Sequence, residues 1–303
     1  MEYSVCGLLA PPLLASPTNM QMARLLRSGN SILVSRERIC KNVVFIKCLL
    51  IGDQSSRTQN YKTFLVNLLK QKRVKNIFDT ACGTGVDSVM LLEEGFNLTS
   101  SDASDKMLKV AHRTRWERRK EQNFEDWTIE EANWLTLEQD IEKPPGGFDA
   151  VICMGNSFAH LPDFHGDQRD HIKCFENFCS MVKPGGIFII DHRNYDYILA
   201  NGKAPSKNIY YNSSHIQDIK TSVLFVNNKP NLITLDYFMN VEEEYADSNQ
   251  FRLSYYPHTL QGFSNLCKNA FGPRAKHTVY ADFKPLNVEP EPSFYIHVVE
   301  KPL

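Results

Sequence analysis

The chain has 303 residues, 42% of them apolar and 23% charged, proportions of a protein that buries a core rather than of a disordered one. With 34 Lys and Arg against 35 Asp and Glu, its formal charge is −1, which excludes a net basic field for nucleic acid or an anionic membrane. The balance is uneven: residues 1–50 hold six Lys/Arg and two acids, so the other 253 residues sum to −5.

The first fifty residues read as a poorly ordered extension in preference to a transit peptide, although residues 20–47 are Arg-bearing and nearly acid-free. No apolar run approaches the ~18 residues of a membrane span. From residue 57 the pattern becomes regular. Tyr61, Phe64, Leu65, Leu68 and Leu69 recur at helical spacing, so Arg57–Lys72 is predicted helical. Lys75–Thr80 is a short strand running into a glycine-bearing turn, Val86–Glu94 a helix, and Asn97–Asp102 a second strand. Asp105–Lys120 is a helix with a solvated basic face. Trp127–Ala132 and the almost wholly apolar Phe148–Cys153 are strands three and four. Arg169–Val182 is a helix stopped by Lys183-Pro184-Gly185-Gly186, and Ile187–Asp191 is a fifth strand.

Beyond Arg193 the character changes. Asn208–Tyr211, Thr221–Asn227 and Leu232–Val241 are predicted strands, the last two joined through Asn228-Lys229-Pro230-Asn231. A strand (Phe251–Tyr256), a helix (Thr259–Phe271) and two strands (His277–Phe283, Phe294–Glu300) follow. The fold class is therefore α/β: a doubly wound, mostly parallel seven-stranded sheet with a smaller antiparallel β insertion. The expected organisation is an extension over 1–50, a nucleotide-type α/β core over 51–195, an antiparallel insertion over 196–256, and a return to the core sheet over 257–303. Eight cysteines without a Cys-x-x-Cys pair read as reduced thiols of a cytoplasmic protein, with no metal site expected.

The informative segment is Asp79-Thr80-Ala81-Cys82-Gly83-Thr84-Gly85, between a strand and a helix. Small residues there let backbone and helix N-terminus approach a ligand. A dinucleotide fingerprint needs a third glycine where Val86 stands, and no Gly-Lys-Ser/Thr makes a Walker loop. What remains is an acid, then Gly/Ala-x-Gly-x-Gly, with Asp102 at the end of strand two, 19 residues beyond Gly83; a carboxylate so placed accepts ribose hydroxyls. The combination resembles the class I S-adenosylmethionine (AdoMet) methyltransferases.

Longer blocks resemble one family. Residues 81–88, 102–108, 130–134, 155–162 (Gly-Asn-Ser-Phe-Ala-His-Leu-Pro), 191–196 (Asp-His-Arg-Asn-Tyr-Asp) and 252–258 (Arg-Leu-Ser-Tyr-Tyr-Pro-His) look like glycine N-methyltransferase, over about five-sixths of the chain. The resemblance implies methyl transfer from AdoMet to glycine, giving sarcosine and S-adenosylhomocysteine. It places Arg57 on the AdoMet carboxylate, and Asp79, Ala81, Gly83, Gly85, Asp102 and Ala103 around its amino-acid and ribose parts. Asn133 and Trp134 would meet the adenine, and Asn156 and His160 would lie between donor and glycine. Arg193 would hold the glycine carboxylate. Tyr211, Tyr237, Tyr255 and Tyr256 would belong to the acceptor pocket, Tyr211 with Arg193 and Asn156 on the substrate. It also implies a homotetramer inhibited by folate.

The resemblance stops before Ile51. The family has aromatic residues there that cover the donor, whereas residues 41–50 are Lys-Asn-Val-Val-Phe-Ile-Lys-Cys-Leu-Leu and the first tryptophan is Trp116. An alternative or wrongly assigned first exon on a normal catalytic body is expected in preference to a genuine variant. Two other readings stand beside the active enzyme: a catalytically impaired AdoMet- or folate-binding subunit, and a methyltransferase for another small carboxylate-bearing amine.

Overall fold

The structure is a computed structural model, describing residues 58–205, 209–210, 216–239 and 250–303. It opens with helix α1 (Gln59–Gln71), which starts where the Thr58 side chain accepts from the Tyr61 N–H and buries Tyr61, Leu65 and Leu69. There follow β1 (Asn76–Asp79), α2 (Val86–Glu93), β2 (Asn97–Asp102) and α3 (Asp105–Glu117). Two single-turn helices, α4 (Gln122–Glu125) and α5 (Leu137–Asp140), flank β3 (Thr128–Glu131). Then come β4 (Phe148–Cys153), a 3₁₀ turn (Ser157–His160), α6 (Arg169–Met181), β5 (Val182–Arg193) and α7 (Tyr195–Asn201). The remaining elements are β6 (Ile216–Val226), β7 (Lys229–Met239), β8 (Gln250–Tyr255), α8 (Leu260–Phe271), β9 (Lys276–Ala281), β10 (Lys284–Pro285) and β11 (Phe294–Glu300).

The main sheet runs β10-β9-β11-β5-β4-β1-β2-β3. Strands β1 to β5 are mutually parallel, while β11 lies antiparallel between β5 and β9. Its central strands are buried on both faces, so their residues alternate between two cores. Ala150 and Ile152 of β4 and Ile187 and Ile189 of β5 pack with α1 and α2. Val151, Cys153, Phe188 and Ile190 pack on the other side with α6 and α8. That period of two is why these runs read as continuously apolar. The strand order reverses between β1 and β4, the point at which open α/β sheets leave a crevice at their carboxyl ends.

Three expectations change. Among the described residues the sheet has eight strands, because the two-residue β10 pairs with β9 at the edge. The Lys-Pro-Gly-Gly tract does not lie outside the sheet: β5 begins at Val182, and the register with β4 shifts between Phe148 and Ala150 to accommodate the tract. Gly186 is needed there, since a Cβ would stand 2.8 Å from the Asp149 carbonyl oxygen. The hairpin joining β6 and β7 turns on Asn227 (φ 50°) and Asn228 (φ 60°), earlier than predicted, the left-handed pair that a two-residue turn demands. Pro230 opposes Phe225 in the ladder and lies beyond the reach of β8, which pairs only from Ile233 onward. Strands β6-β7-β8 form a separate antiparallel sheet. Of the strand predicted over 208–211, Ile209 and Tyr210 are described and form a bend rather than a strand; residues 208 and 211, and the last residues of the strand predicted to Val241, lie outside the described residues. The five described cysteines, Cys82, Cys153, Cys174, Cys179 and Cys267, are free thiols.

Candidate active site

The glycine turn is built by hydrogen bonds from three strands. At the end of β1, the Thr80 N–H donates to the Ile152 carbonyl (2.9 Å) and the Cys82 N–H to that of Ser101 (2.9 Å). Asp79 points inward: it accepts from the Ser88 hydroxyl (2.7 Å) and the Ala81 N–H (3.3 Å). Burial pushes its carboxyl up to about 7. Asp79 therefore braces the turn from below, and its oxygens serve the protein. Asp102, at the end of β2, is half-buried; its two oxygens accept the Gly83 N–H and the Ser104 N–H, both at 2.9 Å.

The two glycines differ. Gly83 (φ 56°) looks onto open space, with nothing within 4 Å of a Cβ built on it. Gly85 (φ 86°) looks inward, where a Cβ would meet Trp127 Cη2 at 2.7 Å. Gly85 is thus explained by the core, whereas Gly83 leaves its outer face open. Ala81 and Ala103 are half-buried in the same turns. Trp134 donates its indole N–H to the Thr80 carbonyl (2.7 Å) and rests on Phe158 and Phe178, so it ties β3 to the turn and is packed in its own right. The side-chain oxygen of Asn133 accepts the Leu135 N–H (3.0 Å).

The second half of the site hangs on a buried net at the ends of β4 and β5. Asn156 sits at φ 60°, unusual for a residue with a side chain. Its N–H donates to both oxygens of Asp191 (2.9 and 3.1 Å), and its side-chain oxygen accepts the Arg193 N–H (2.9 Å). Its amide nitrogen donates to the Tyr195 hydroxyl (2.9 Å), and Tyr210 donates to Asp191 (2.6 Å). Burial raises Asp191 to about 7, opposed by the hydrogen bonds from Tyr210 and Asn156. Arg193, 9% exposed, lies with its guanidinium carbon 4.7 Å from the centre of the Phe294 ring.

Tyr237 and Tyr255, from the small sheet, close over this net and are 3% and 4% exposed. Tyr237 stacks on Phe251. Burial, then neighbouring Tyr237, pushes Tyr255 well up, while Arg193 draws it down. The ring of His160 lies 4.7 Å from that of Tyr255. The structure therefore gathers Asn156, His160, Arg193, Tyr237 and Tyr255 in one place. Tyr256 turns away: its hydroxyl accepts from Gln168 (2.9 Å), and its ring lies against His171 and His258. Arg57 and Tyr211 lie outside the described residues. Sequence reasoning missed Asp191, Tyr195 and Tyr210. The signal available was an acid closing the apolar run Ile-Phe-Ile-Ile, where an unpartnered carboxylate would be costly.

The order of strands, the glycine turn and the acid ending β2 define a class I methyltransferase fold. A methyltransferase-domain family model matches residues 71–245. A solved AdoMet-dependent methyltransferase from Clostridium acetobutylicum superposes with a TM-score of 0.60 over 88% of this chain and 100% of its own, at 17% identity. The chain is 56% identical over 261 residues to rat glycine N-methyltransferase (84% of this chain, 88% of the relative). It is 53% identical to the human protein over the same shares of the two chains. The chain belongs to the glycine N-methyltransferase family.

Proposed function

We propose that this protein transfers a methyl group from AdoMet to the amine of glycine, giving sarcosine, S-adenosylhomocysteine and a proton. The observation that carries the reading is Arg193, a buried guanidinium at the carboxyl end of β5 among tyrosines, in a chain 56% identical to a glycine N-methyltransferase. A planar cation so placed suits a carboxylate, and among small amines it favours one that carries such a group.

The crevice fits AdoMet: the outer face of Gly83 is open, and Asp102 stands at its rim. Asp102 would accept the ribose hydroxyls while keeping its bonds to Gly83 and Ser104. Asn133, Ala103 and Trp134 would border the adenine, Ala81 and Gly83 the amino-acid part, and Arg57 its carboxylate. AdoMet supplies an activated methyl on a sulfonium, so the protein contributes position. Arg193 anchors the acceptor's carboxylate. Asn156, gripping the Arg193 N–H, sets where that anchor stands. The hydroxyls of Tyr237 and Tyr255, with Tyr211, orient the amine lone pair. The ammonium form of glycine must shed its proton first, and His160 is the histidine beside this group to test as its acceptor. Five free thiols support a reducing, cytoplasmic setting. A homotetramer and inhibition by folate are carried over from the resemblance, and gel filtration and assays with added folate test them.

Arg193→Ala tests the central role. It should abolish glycine-dependent sarcosine formation while AdoMet binding, measured by calorimetry, stays near that of the parent. Unchanged glycine kinetics would remove the carboxylate anchor.

A further inference from the structure

Beneath the sheet, away from the glycine turn, three histidines form one continuous row. His277 of β9 meets His297 of β11 (Nε2 to Nδ1, 2.9 Å), and His297 meets His192 of β5 (Nε2 to Nε2, 3.1 Å). His192 Nδ1 reaches the Arg193 carbonyl oxygen at 2.8 Å. The carbonyl only accepts, so His192 carries its proton on Nδ1 and accepts at Nε2. His297 must then donate from Nε2, which leaves a lone pair on its Nδ1. His192 and His297 are fully buried. Cys267 of α8, also fully buried, brings its sulfur to the same point: one ligand-type atom from each of Cys267, His277 and His297 lies within 4.8 Å of the others.

We propose that Cys267, His277 and His297 form a binding site for a borderline-soft divalent ion of the zinc type. Each part of the donor set suits one. A thiolate and two imidazoles select zinc or cobalt over magnesium or calcium, which take oxygen ligands. Bond lengths of about 2.3 Å to sulfur and about 2.0–2.1 Å to nitrogen put tetrahedral ligand atoms roughly 3.3–3.6 Å apart. The three side chains bracket that spacing: the imidazole pair opens by a few tenths of an ångström and the sulfur closes in. The outer support already exists, since a ligating histidine ordinarily donates its other N–H to a fixed acceptor; His297 donates to His192, and His192 to the β5 backbone. His277 is only half-buried and gives the ion a way in.

Binding balances simply. Sulfur–metal and two nitrogen–metal bonds form. The Cys267 thiol gives its proton to solvent, and His277 exchanges its Nε2 proton for one on Nδ1. The protein ligands leave a fourth position for water. Sequence spacing hides the site, because Cys267, His277 and His297 stand ten and twenty residues apart and converge only through the β9–β11 pairing and the packing of α8 on β11.

The test is a titration of the chelator-treated full chain with Co²⁺, followed by Zn²⁺ competition. One equivalent of Co²⁺ should produce a thiolate-to-cobalt charge-transfer band that Zn²⁺ abolishes. Cys267→Ser should lose the band. His277→Gln, a change at a half-buried position, should weaken binding at least about tenfold. Unfolding midpoints and AdoMet affinity of both variants check that the fold is intact. No charge-transfer band in the parent protein overturns the proposal, as does a band and affinity unchanged in either variant.

Discussion

Gly83 and Gly85 share a turn and a left-handed backbone, yet alanine should injure the protein differently at each. At Gly85 the φ of 86° costs a residue with a Cβ about 1–2 kcal/mol. The new methyl would stand 2.7 Å from Trp127 Cη2 and 3.3 Å from Ala111 Cβ, and Trp127 is fully buried. Its indole is also pinned by a 2.8 Å bond to the Ser100 hydroxyl, so it cannot retreat freely. Overpacking of this kind adds about 1–3 kcal/mol, and reduced unfolded-state freedom takes back about 0.4–1 kcal/mol, for a total of ~1–4.6 kcal/mol. At Gly83 the backbone strain is similar, but the methyl meets nothing. A loss of unfolded-state freedom worth about 0.4–1 kcal/mol offsets part of the strain, so stability should fall by no more than about 1.6 kcal/mol. The methyl does enter the space proposed for AdoMet, and affinity should fall at least about tenfold, or ~1.4 kcal/mol. Urea unfolding and calorimetric AdoMet titration of both variants separate the effects. A Gly85→Ala protein as stable as its parent would refute the packing account. A Gly83→Ala protein with unchanged AdoMet affinity would refute the account of the crevice.

Asp102→Asn should weaken AdoMet binding about tenfold by calorimetry, since hydrogen bonds to a charged group are worth about 1.5–3 kcal/mol; equal affinity would remove the ribose role. Tyr210→Phe deletes the 2.6 Å bond to buried Asp191 and should cost about 1.5–3 kcal/mol in urea unfolding; no loss would mean the net does not depend on it. Asp79 binds its proton more tightly folded (about 7) than unfolded, so its contribution is fully present below about pH 4 and is lost as pH rises through 7. Asp79→Asn should therefore gain on the parent by up to about 1.4 kcal/mol per pH unit across that window; a pH-independent difference in unfolding free energy would contradict the shift.

How much of this was legible in the sequence depended on separation along the chain. Gly83 and Asp102 are 19 residues apart, joined by one helix and one strand, and spacing alone put the acid where it accepts the Gly83 N–H. Strands β1, β4 and the Ile187–Ile190 part of β5 were legible as short apolar runs bounded by turn residues, whereas β2 and β3 are mostly polar and were placed by the helices that separate them. Trp134 was harder, because adenine contact and packing ask for the same side chain; the structure shows the packing directly. The net around Arg193 was illegible in all but its named residues. Asn156 and Asp191 are 35 residues apart and Asp191 and Tyr210 another 19, and a polar side chain carries no mark of its partner. The histidine row is the extreme case, since His192 and His297 are 105 residues apart. They meet because β11 inserts antiparallel between β5 and β9. That insertion bears on function as well as topology. Phe294, at the start of β11, lies under the Arg193 guanidinium, and His297, three residues on, reaches the Arg193 carbonyl through His192. The last strand thus holds both ends of the residue proposed to choose the acceptor, and a change in β11 should be felt first in the glycine KM.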